Sequence, residues 1–298
     1  MKHEEAITQK IISAIESGQS THTMPWHSVR MPINVQTGKP YQGVNALILW
    51  AESLEAGYTS PHWASFLTWK ALGRNIKKGS KGTRITYWHF YSPEEKEMLP
   101  PEAKSKIGFR RFYIVFNEAQ ASESDEPVDA SLMIEERPDN SGTSASESVI
   151  SILNSAGAEL IIDGDRAFYN PDNDVIYMPS QSLFQNTIYR NKDLGFAGVL
   201  AHELVHWTGH ESRLNRKKGD KDSADYAFEE LVAELGSAFI CSEIDIAYTG
   251  IPENAGYIEN WLQRLRDDPK AIFRASSLAM KAKTLLLPVT QEDETLVT

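Results

Sequence analysis

Three residues in one short stretch of the chain, His202, Glu203 and His206, have types and a spacing that could do chemistry. Residues four apart lie on the same face of an α-helix, so the two histidines can bind one metal ion together. The Glu203 carboxylate lies beside the first ligand and can accept a proton from metal-bound water. The flanking residues are small or apolar, which predicts a buried helix over about 195–208. A buried helix favours a metal site over the alternative of two surface histidines, because unpaired buried histidines are uncommon.

A catalytic zinc ion normally has a third protein ligand and keeps one position for water. His210 is close in sequence, but three histidines at four-residue intervals on one straight helix cannot converge on one ion. A second predicted helix, over about 223–243, carries several glutamates. A glutamate on a second helix, some twenty residues downstream, is the gluzincin arrangement of zinc peptidases. The third ligand is therefore expected on this second helix.

Two of these glutamates compete for the role of ligand. Glu229 borders the apolar stripe on the side of Ala233 and Gly236, where small residues would let another helix approach closely. Glu229 is therefore the predicted third ligand. Glu230 stays open as the alternative, because its spacing from Glu234 resembles that of gluzincin glutamate helices.

The expected reaction is hydrolysis of a peptide bond with Glu203 as the general base. Zn²⁺ is the expected metal, with another divalent ion such as Mn²⁺ as the alternative. The predicted strand at 174–178 could pair with an extended peptide substrate through its edge. It could equally be an internal strand of the core.

The composition predicts a soluble globular protein, with 41% hydrophobic and 24% charged residues. The chain has no apolar run long enough for a membrane helix, so no membrane partner is expected. A single cysteine, Cys241, excludes internal disulfides and predicts a cytoplasmic location.

The net charge of −11 is distributed unevenly along the chain. Residues 1–116 contain 15 Lys and Arg against 9 Asp and Glu, whereas the remainder contains 15 against 32. The N-terminal third is therefore basic, which is compatible with a nucleic-acid partner despite the acidic average.

The pattern of elements predicts an α+β protein with two domains. The first is a small α+β domain over 1–118, an acidic linker follows over 119–146, and a second domain covers 147–298. Helices are predicted at 4–18, 45–56, 63–72, 147–156, 254–267 and 270–286 besides the two described above, and strands at 84–91, 110–116, 159–163 and 174–178.

A basic, aromatic segment of the first domain predicts a surface for single-stranded nucleic acid. Cations that follow a backbone, combined with aromatic faces that stack on bases, are typical of such binding. The alternative is a solvated lysine-rich hairpin whose aromatic residues belong to the core. The candidate contacts are Trp69, Lys70, Arg74, Lys77, Lys78, Lys81, Arg84 and Trp88.

Several longer strings carry a resemblance to a known family. They lie at 25–26, 43–46, 69–73, 77–82, 202–210, 212–214 and 229–234. These strings are similar to those of the ArdC-type antirestriction proteins, which are related to the N-terminal portion of plasmid TraC-type primases. The resemblance covers nearly the whole chain. It implies a single-stranded-DNA-binding domain joined to a zincin-like metallopeptidase domain, and protection of plasmid DNA that enters a new host as a single strand.

The expected partners are thus single-stranded DNA and an unidentified protein substrate, with the host restriction machinery as a candidate. A rival hypothesis is a protein without peptidase activity that blocks DNA or a restriction enzyme sterically. Its metal site would be structural or vestigial. A structural zinc site normally has four protein ligands and no need of Glu203, so this residue favours catalysis.

Overall fold

The computed structural model describes residues 3–18, 26, 31–90, 97–98, 100, 108–123, 144–184, 191–216, 219, 223–246 and 258–288. For 88–90, 108–110 and 123 it describes the main chain alone. The chain divides into two compact units. The first unit comprises Met1–Pro32, Pro40–Gly57 and Glu136–Thr298, and the second comprises Ile33–Lys39 and Tyr58–Glu135.

The first unit is mainly helical, with one small sheet. Its helices are α1 (His3–Gly18), α2 (Val44–Ala56), α4 (Ala145–Ala156), α5 (Lys192–Thr208), α6 (Ala224–Glu243), α7 (Ile258–Asp267) and α8 (Ala271–Leu286). Side-chain caps fix the starts of α5 and α6. The Asn191 side chain accepts from the Leu194 N–H at the start of α5, and Ser223 accepts from the Tyr226 N–H at the start of α6.

The core of the first unit contains residues from both ends of the chain. Trp26 and Trp50 are fully buried in the same cluster as Phe239 and Trp261. The Trp50 and Phe239 rings stack with their centroids 6.3 Å apart. The compact units therefore depart from the predicted boundary at residue 118, because the apolar faces of α1 and α2 are buried against C-terminal helices. The apolar periodicity of the sequence predicts these two helices, but it does not predict which other helices they pack against.

The sheet of the first unit has three strands in the order β7–β9–β8. They are β7 (Glu159–Ile162), β8 (Phe168–Asn170) and β9 (Val175–Met178). β7 runs parallel to β9 and β8 runs antiparallel to it. The strand predicted at 174–178 is thus the central strand, so of the two alternatives the structure shows the internal strand. β8, which was not predicted, is an edge strand.

The second unit has a four-stranded sheet and a two-stranded sheet. The larger sheet has the order β1–β2–β5–β4, and β3 pairs with β6 in the smaller one. Their bounds are β1 (Ile33–Asn34), β2 (His62–Ser65), β3 (Arg74–Ile76), β4 (Thr83–Phe90), β5 (Gly108–Asn117) and β6 (Ala121–Glu123), with helix α3 (Phe66–Ala71) after β2. The antiparallel β4–β5 pair confirms the two predicted strands.

Two expectations for the second unit need correction. The helix predicted over 63–72 begins as strand β2, and the helix starts after Ser65, whose side chain accepts from the Thr68 N–H. The linker predicted over 119–146 begins with ordered structure, since Glu118–Gln120 is a 3₁₀ turn and β6 pairs with β3. Residues 124–143 of the linker lie outside the described residues. Among the described helices, none is long and apolar enough to cross a membrane.

Candidate metal centre and nucleic-acid face

Two helices bring three potential metal ligands together inside the first unit. His202 and His206 lie on α5, and their Nε2 atoms are 3.1 Å apart. Glu230 on α6 places Oε2 3.2 Å from the His202 Nε2 and Oε1 3.4 Å from the His206 Nε2. All three side chains are buried. The i, i+4 spacing on one helix and a single carboxylate from the next therefore make one compact cluster.

A glycine sets the distance between the two helices. A Cβ atom at Gly236 would lie 2.8 Å from Cγ2 of Val205, closer than real contacts allow. The absence of a side chain at this position lets α6 approach α5 within one turn of the histidines. This agrees with the prediction that small residues on α6 face another helix.

Glu230, rather than the predicted Glu229, faces the two Nε2 atoms. Glu229 lies on the other side of His206, with Oε1 3.4 Å from Nδ1. Both glutamates are buried, so the burial argument that selected Glu229 did not separate a metal-facing carboxylate from one behind the histidine. His210 lies outside the cluster, where its Nδ1 is 2.7 Å from the Ser212 hydroxyl.

Glu229 is held by a buried arginine that the sequence analysis missed. Arg216 donates to Glu229 through Nε and Nη2, the latter at 2.7 Å from Oε1. Its Nη1 donates to the Thr208 hydroxyl and its Nη2 to the Val205 carbonyl. A buried carboxylate requires a cationic or donor partner, and that requirement is the signal that could have led from Glu229 to Arg216.

The electrostatics of the cluster favour a cation. Burial opposes ionisation of His206, but the charge of Glu230 and the contact with Glu229 outweigh it and raise the pKa of His206 to about 9. Burial also opposes ionisation of Glu230, yet the two histidines hold the pKa of this carboxyl well below its usual range. The pKa of Glu229 is likewise lowered: burial opposes ionisation, but His206 and Arg216 outweigh it.

The donor set fits a divalent metal ion. Two imidazole nitrogens and one carboxylate oxygen are ligands that zinc accepts, and manganese also takes carboxylate. Ligating histidines usually donate their second N–H to a carboxylate or carbonyl, and the His206 Nδ1 faces Glu229 in this way. The Nδ1 of His202 is buried and has no hydrogen-bond partner within the described part of the chain.

Glu203 is buried next to this cluster and is held by the neighbouring strand. Its Oε2 accepts a 2.8 Å hydrogen bond from the main-chain N–H of Tyr169 on β8. A cavity of about 350 Å³ adjoins the cluster, lined among others by Tyr169, His206, Arg216 and Glu229. The predicted general base therefore belongs to the ligand helix α5 and contacts the edge strand β8.

In the second unit, two of the residues predicted to contact nucleic acid, Trp69 and Arg74, make contacts within the fold instead. Trp69 is 2% exposed, and its Nε1 donates to the Phe116 carbonyl, so its ring is not available for a base to stack on. Arg74 donates to Glu118 at 2.5 Å. Burial would raise the pKa of Glu118, but hydrogen bonds from Ser60, Arg74 and His62 lower it to about 2, so this pair stays charged.

The remaining predicted cations differ in their surroundings. Lys70, Lys77, Lys78, Lys81 and Arg84 are all exposed, and the Lys77 ammonium also donates to the Ala119 carbonyl. Trp88 lies on β4, and its side chain is outside the described residues.

The β4–β5 pair exposes aromatic residues that the sequence analysis did not select. Tyr87 and Tyr113 are each nearly half exposed, and their rings meet edge to face with centroids 6.2 Å apart. Arg111 is paired with Tyr87 across the strands. Phe112 is also exposed, with the Arg84 guanidinium 5.6 Å from its ring centroid. Strand alternation puts Tyr87, Arg111 and Tyr113 on one face of the pair and Arg84 and Phe112 on the other, and composition alone does not tell which residues are exposed.

Comparisons with known proteins agree with both units. Residues 147–278 match a family model described as a zincin-like metallopeptidase, and residues 1–130 match the model of the N-terminal domain of anti-restriction factor ArdC. The metal-free crystal structure of antirestriction protein ArdC from plasmid R388 is similar, with a TM-score of 0.74 and 31% sequence identity over 99% of this chain and 98% of that one. The chain belongs to the ArdC family.

Other ArdC relatives extend the comparison. The Mn(II)-bound structure of the R388 protein has a TM-score of 0.73 at 31% identity and covers all of both chains. The uncharacterized protein y4eC of Sinorhizobium fredii is 33% identical over 93% of this chain and 89% of its own length. The DNA primase TraC of Escherichia coli is 31% identical over 97% of this chain, which spans 20% of that protein. Membership of the ArdC family confirms the predicted two-domain α+β fold with a zincin-like part.

Proposed function

We propose that this protein is an antirestriction factor that combines a metal-dependent peptidase with a surface for single-stranded DNA, and that it protects incoming plasmid DNA during conjugation. The observation that carries the peptidase half is the convergence of His202, His206 and Glu230 on one point, with Glu203 buried beside them. The resemblance of the R388 relative, which has a Mn(II)-bound structure, supports a divalent ion at this centre. A cytoplasmic location remains a prediction that rests on Cys241.

The metal, Zn²⁺ or Mn²⁺, would be held by the Nε2 atoms of His202 and His206 and by the Glu230 carboxylate. When bound, it would supply Lewis acidity that polarises a substrate carbonyl and makes water a nucleophile near neutral pH. Glu229 would orient His206 through Nδ1 rather than bind the metal.

Glu203 would carry the proton during hydrolysis. Its Oε2 accepts from the Tyr169 N–H, which leaves Oε1 to accept a proton from the attacking water. The same oxygen would then donate that proton to the leaving amine.

The DNA half of the proposal rests on the exposed side chains of the β4–β5 pair. Bases of a single strand would stack on Tyr87 and Tyr113, while Arg111 on the same face of the pair neutralises the backbone together with the lysines of the loop before β4. The alternative is a solvated hairpin with no ligand. It does not explain why several aromatic rings are nearly half exposed next to arginines.

A Glu203→Gln variant tests the peptidase. The protein is loaded with Zn²⁺ or Mn²⁺ and incubated with fluorescent casein, with and without single-stranded DNA. We expect the variant to bind metal like the natural protein and to lose cleavage. If the natural protein cleaves nothing in either metal form with or without DNA, the rival function gains, namely a blocking protein whose metal site is structural or vestigial.

Fluorescence anisotropy with single-stranded and duplex oligonucleotides at two salt concentrations tests the DNA surface. We expect preference for single strands, with Tyr113→Ala weakening binding by about 1–3 kcal/mol through lost stacking. Phe168→Ala, at an exposed aromatic residue of the first unit, serves as the control and should leave DNA affinity unchanged. Equal loss in both variants would contradict the assigned surface.

A further inference from the structure

Arg213 lies just beyond the C-terminus of α5, and each of its three side-chain nitrogens donates a hydrogen bond to Trp207 or Asp174. Its Nε donates to the Trp207 carbonyl at 2.7 Å. Its Nη1 and Nη2 donate to the two oxygens of Asp174, at 2.9 and 2.5 Å. The guanidinium also stacks on the Trp207 ring, 3.7 Å from the centroid. A bidentate arginine–carboxylate pair of this kind fixes direction as well as distance.

Asp174 connects this arginine to the edge strand. It lies in the turn between β8 and β9 with φ of 58°, a conformation that few residues with a side chain adopt. The Tyr169 hydroxyl donates to Asp174 Oδ1 at 2.8 Å, and the Arg213 Nη2 lies 3.3 Å from the same hydroxyl. The side chain of a β8 residue is therefore tied to the end of the ligand helix.

The main chain of that same β8 residue holds Glu203. The Tyr169 N–H donates to the Glu203 Oε2, and Tyr169 itself is buried. β8 has three residues and pairs on one side alone, so strand pairing by itself fixes its position weakly. An anchor outside the sheet is needed to keep one N–H on one carboxylate oxygen.

We propose that Arg213 and Asp174 are positioning residues that hold the Tyr169 N–H against the Glu203 carboxylate. The consequence for catalysis rests on the proposed role of Glu203 as general base, whereas the positioning itself does not. Neither residue contacts the Nε2 atoms or Glu230, so the anchor acts on the base and leaves the ligand cluster intact.

The test uses the full chain labelled with ¹⁵N-tyrosine, in which Tyr169→Phe assigns the Tyr169 amide signal by its disappearance. Glu203→Gln removes the charge that the Tyr169 N–H faces and should shift this signal. The same change is then made in Arg213→Lys and in Asp174→Asn. Lysine cannot reproduce the bidentate contact, while asparagine tolerates the positive φ and keeps an acceptor for the Tyr169 hydroxyl. Arg266→Lys, at an exposed ion pair with Glu16, is the matched control.

In the natural protein, Glu203→Gln changes the chemical shift of the Tyr169 amide by a certain amount. We expect this change to fall to about half or less when Arg213→Lys or Asp174→Asn is also present, because coupled groups do not act independently. In the Arg266→Lys control the change should stay the same. A full response in both anchor variants would overturn the proposal. If Arg213→Lys does not fold, Asp174→Asn decides the outcome alone.

Calorimetric titration with Mn²⁺ separates this proposal from the proposed function. Both anchor variants should bind Mn²⁺ as tightly as the natural protein, because the ligand side chains are untouched. Loss of Mn²⁺ affinity together with an unchanged Tyr169 response would mean that the anchor supports the metal cluster instead, and the proposal would fail. Absence of peptidase activity in the natural protein would remove the general-base role without altering either result.

Discussion

Glu229 and Glu230 are neighbours in the chain, yet the two buried carboxylates have different partners. Glu230 meets the Nε2 atoms of both histidines, whereas Glu229 is shared between the other face of His206 and Arg216. The side chain of Arg216 is 4% exposed, so its charge depends on Glu229 for compensation. One residue therefore serves metal binding and the other serves stability.

Replacing each glutamate by glutamine should separate these roles. Glu230→Gln should abolish or nearly abolish tight Mn²⁺ binding and leave the stability of the metal-free protein less affected. Glu229→Gln should weaken Mn²⁺ binding by about 10–100-fold, the usual effect of losing an outer partner. It should also destabilise the protein by about 3–5 kcal/mol by leaving Arg216 unpaired. Calorimetry and urea unfolding measure the two effects, and equal behaviour of the two variants would contradict the assignment.

Metal affinity should depend on pH through His206. The pKa of His206 in the metal-free protein is raised to about 9, so a metal ion must displace a proton at pH 7. Affinity for Mn²⁺ should therefore rise by about tenfold per pH unit between pH 7 and pH 9 and then level off. Titration calorimetry in buffers with different ionisation enthalpies should detect about one proton released per ion at pH 7. A pH-independent affinity over this range would contradict it.

The same shift has the opposite sign for the stability of the metal-free protein. The pKa of His206 is higher in the folded state than the usual 6.5, so protonated His206 stabilises the fold fully below pH 6.5. This contribution is lost as the pH rises towards about 9. Both effects come from the same proton: between pH 6.5 and about 9, His206 is unprotonated in the unfolded chain and in the metal-bound form, so the gain in affinity offsets the loss of stability.

At the scale of elements, the pair α5 and α6 depends on close contact. Val205 of α5 packs where α6 has Gly236, and no atom larger than hydrogen fits between them. This contact lies about one turn from His202 and His206, so a change in the helix spacing changes the distance between Glu230 and both imidazoles.

Gly236→Ala should destabilise the protein by about 1–3 kcal/mol through overpacking, even though alanine favours helix formation. It should also weaken Mn²⁺ binding. Val205→Ala removes both Cγ atoms that the new methyl group meets, so it should restore part of the loss in the double variant. Thermal unfolding and calorimetry of the four proteins form a double-mutant cycle, and strictly additive effects would show that the contact does not set the spacing.

The same elements mark what the sequence could predict. The apolar periodicity of α5 and α6, and the small residues on one side of α6, predict two buried helices in contact. The i, i+4 histidines predict a metal cluster on one of them. The sequence analysis chose Glu229 and kept Glu230 as the alternative, whereas Glu230 faces the two Nε2 atoms. Both glutamates are buried, and the difference between them depends on Arg216, which holds Glu229.

The small sheets were the least predictable elements. β8, β3 and β6 have three residues each, too few for a pattern of alternation to be recognised. β3 and β6 also pair with each other across a long stretch of sequence, with Arg74 opposite Glu123. The hydrogen bond from the Tyr169 N–H to Glu203 depends on β8, so the sequence pattern could not predict it.

At the scale of the whole molecule, the first unit is made from both ends of the chain and the second unit from the residues between them. Trp50 is in the N-terminal third, yet it packs on Phe239 of α6. Trp63 is thirteen positions later and is buried in the second unit, against Tyr58. Sequence proximity does not decide which unit a residue stabilises.

Trp50→Ala should therefore destabilise the first unit, by about 3–5 kcal/mol, as large-to-small core changes do. Hydrogen exchange should accelerate in α6 and α8 and remain slow in the β4–β5 pair. Trp63→Ala is the matched variant and should give the reverse pattern. Faster exchange of β4–β5 in the Trp50 variant alone would contradict the division into units.

The division also governs the order in which a newly made chain can fold. Helices α1 and α2 leave the ribosome before α7 and α8, against which they respectively pack, so part of their apolar surface, to which Ile15 and Leu47 belong, stays exposed until then. The second unit is synthesised in the interval and can fold first, as domains do when they emerge. A nascent chain can thus carry a finished second unit while His202, His206 and Glu230 are still apart, and chaperones should bind it through α1 and α2 during that time.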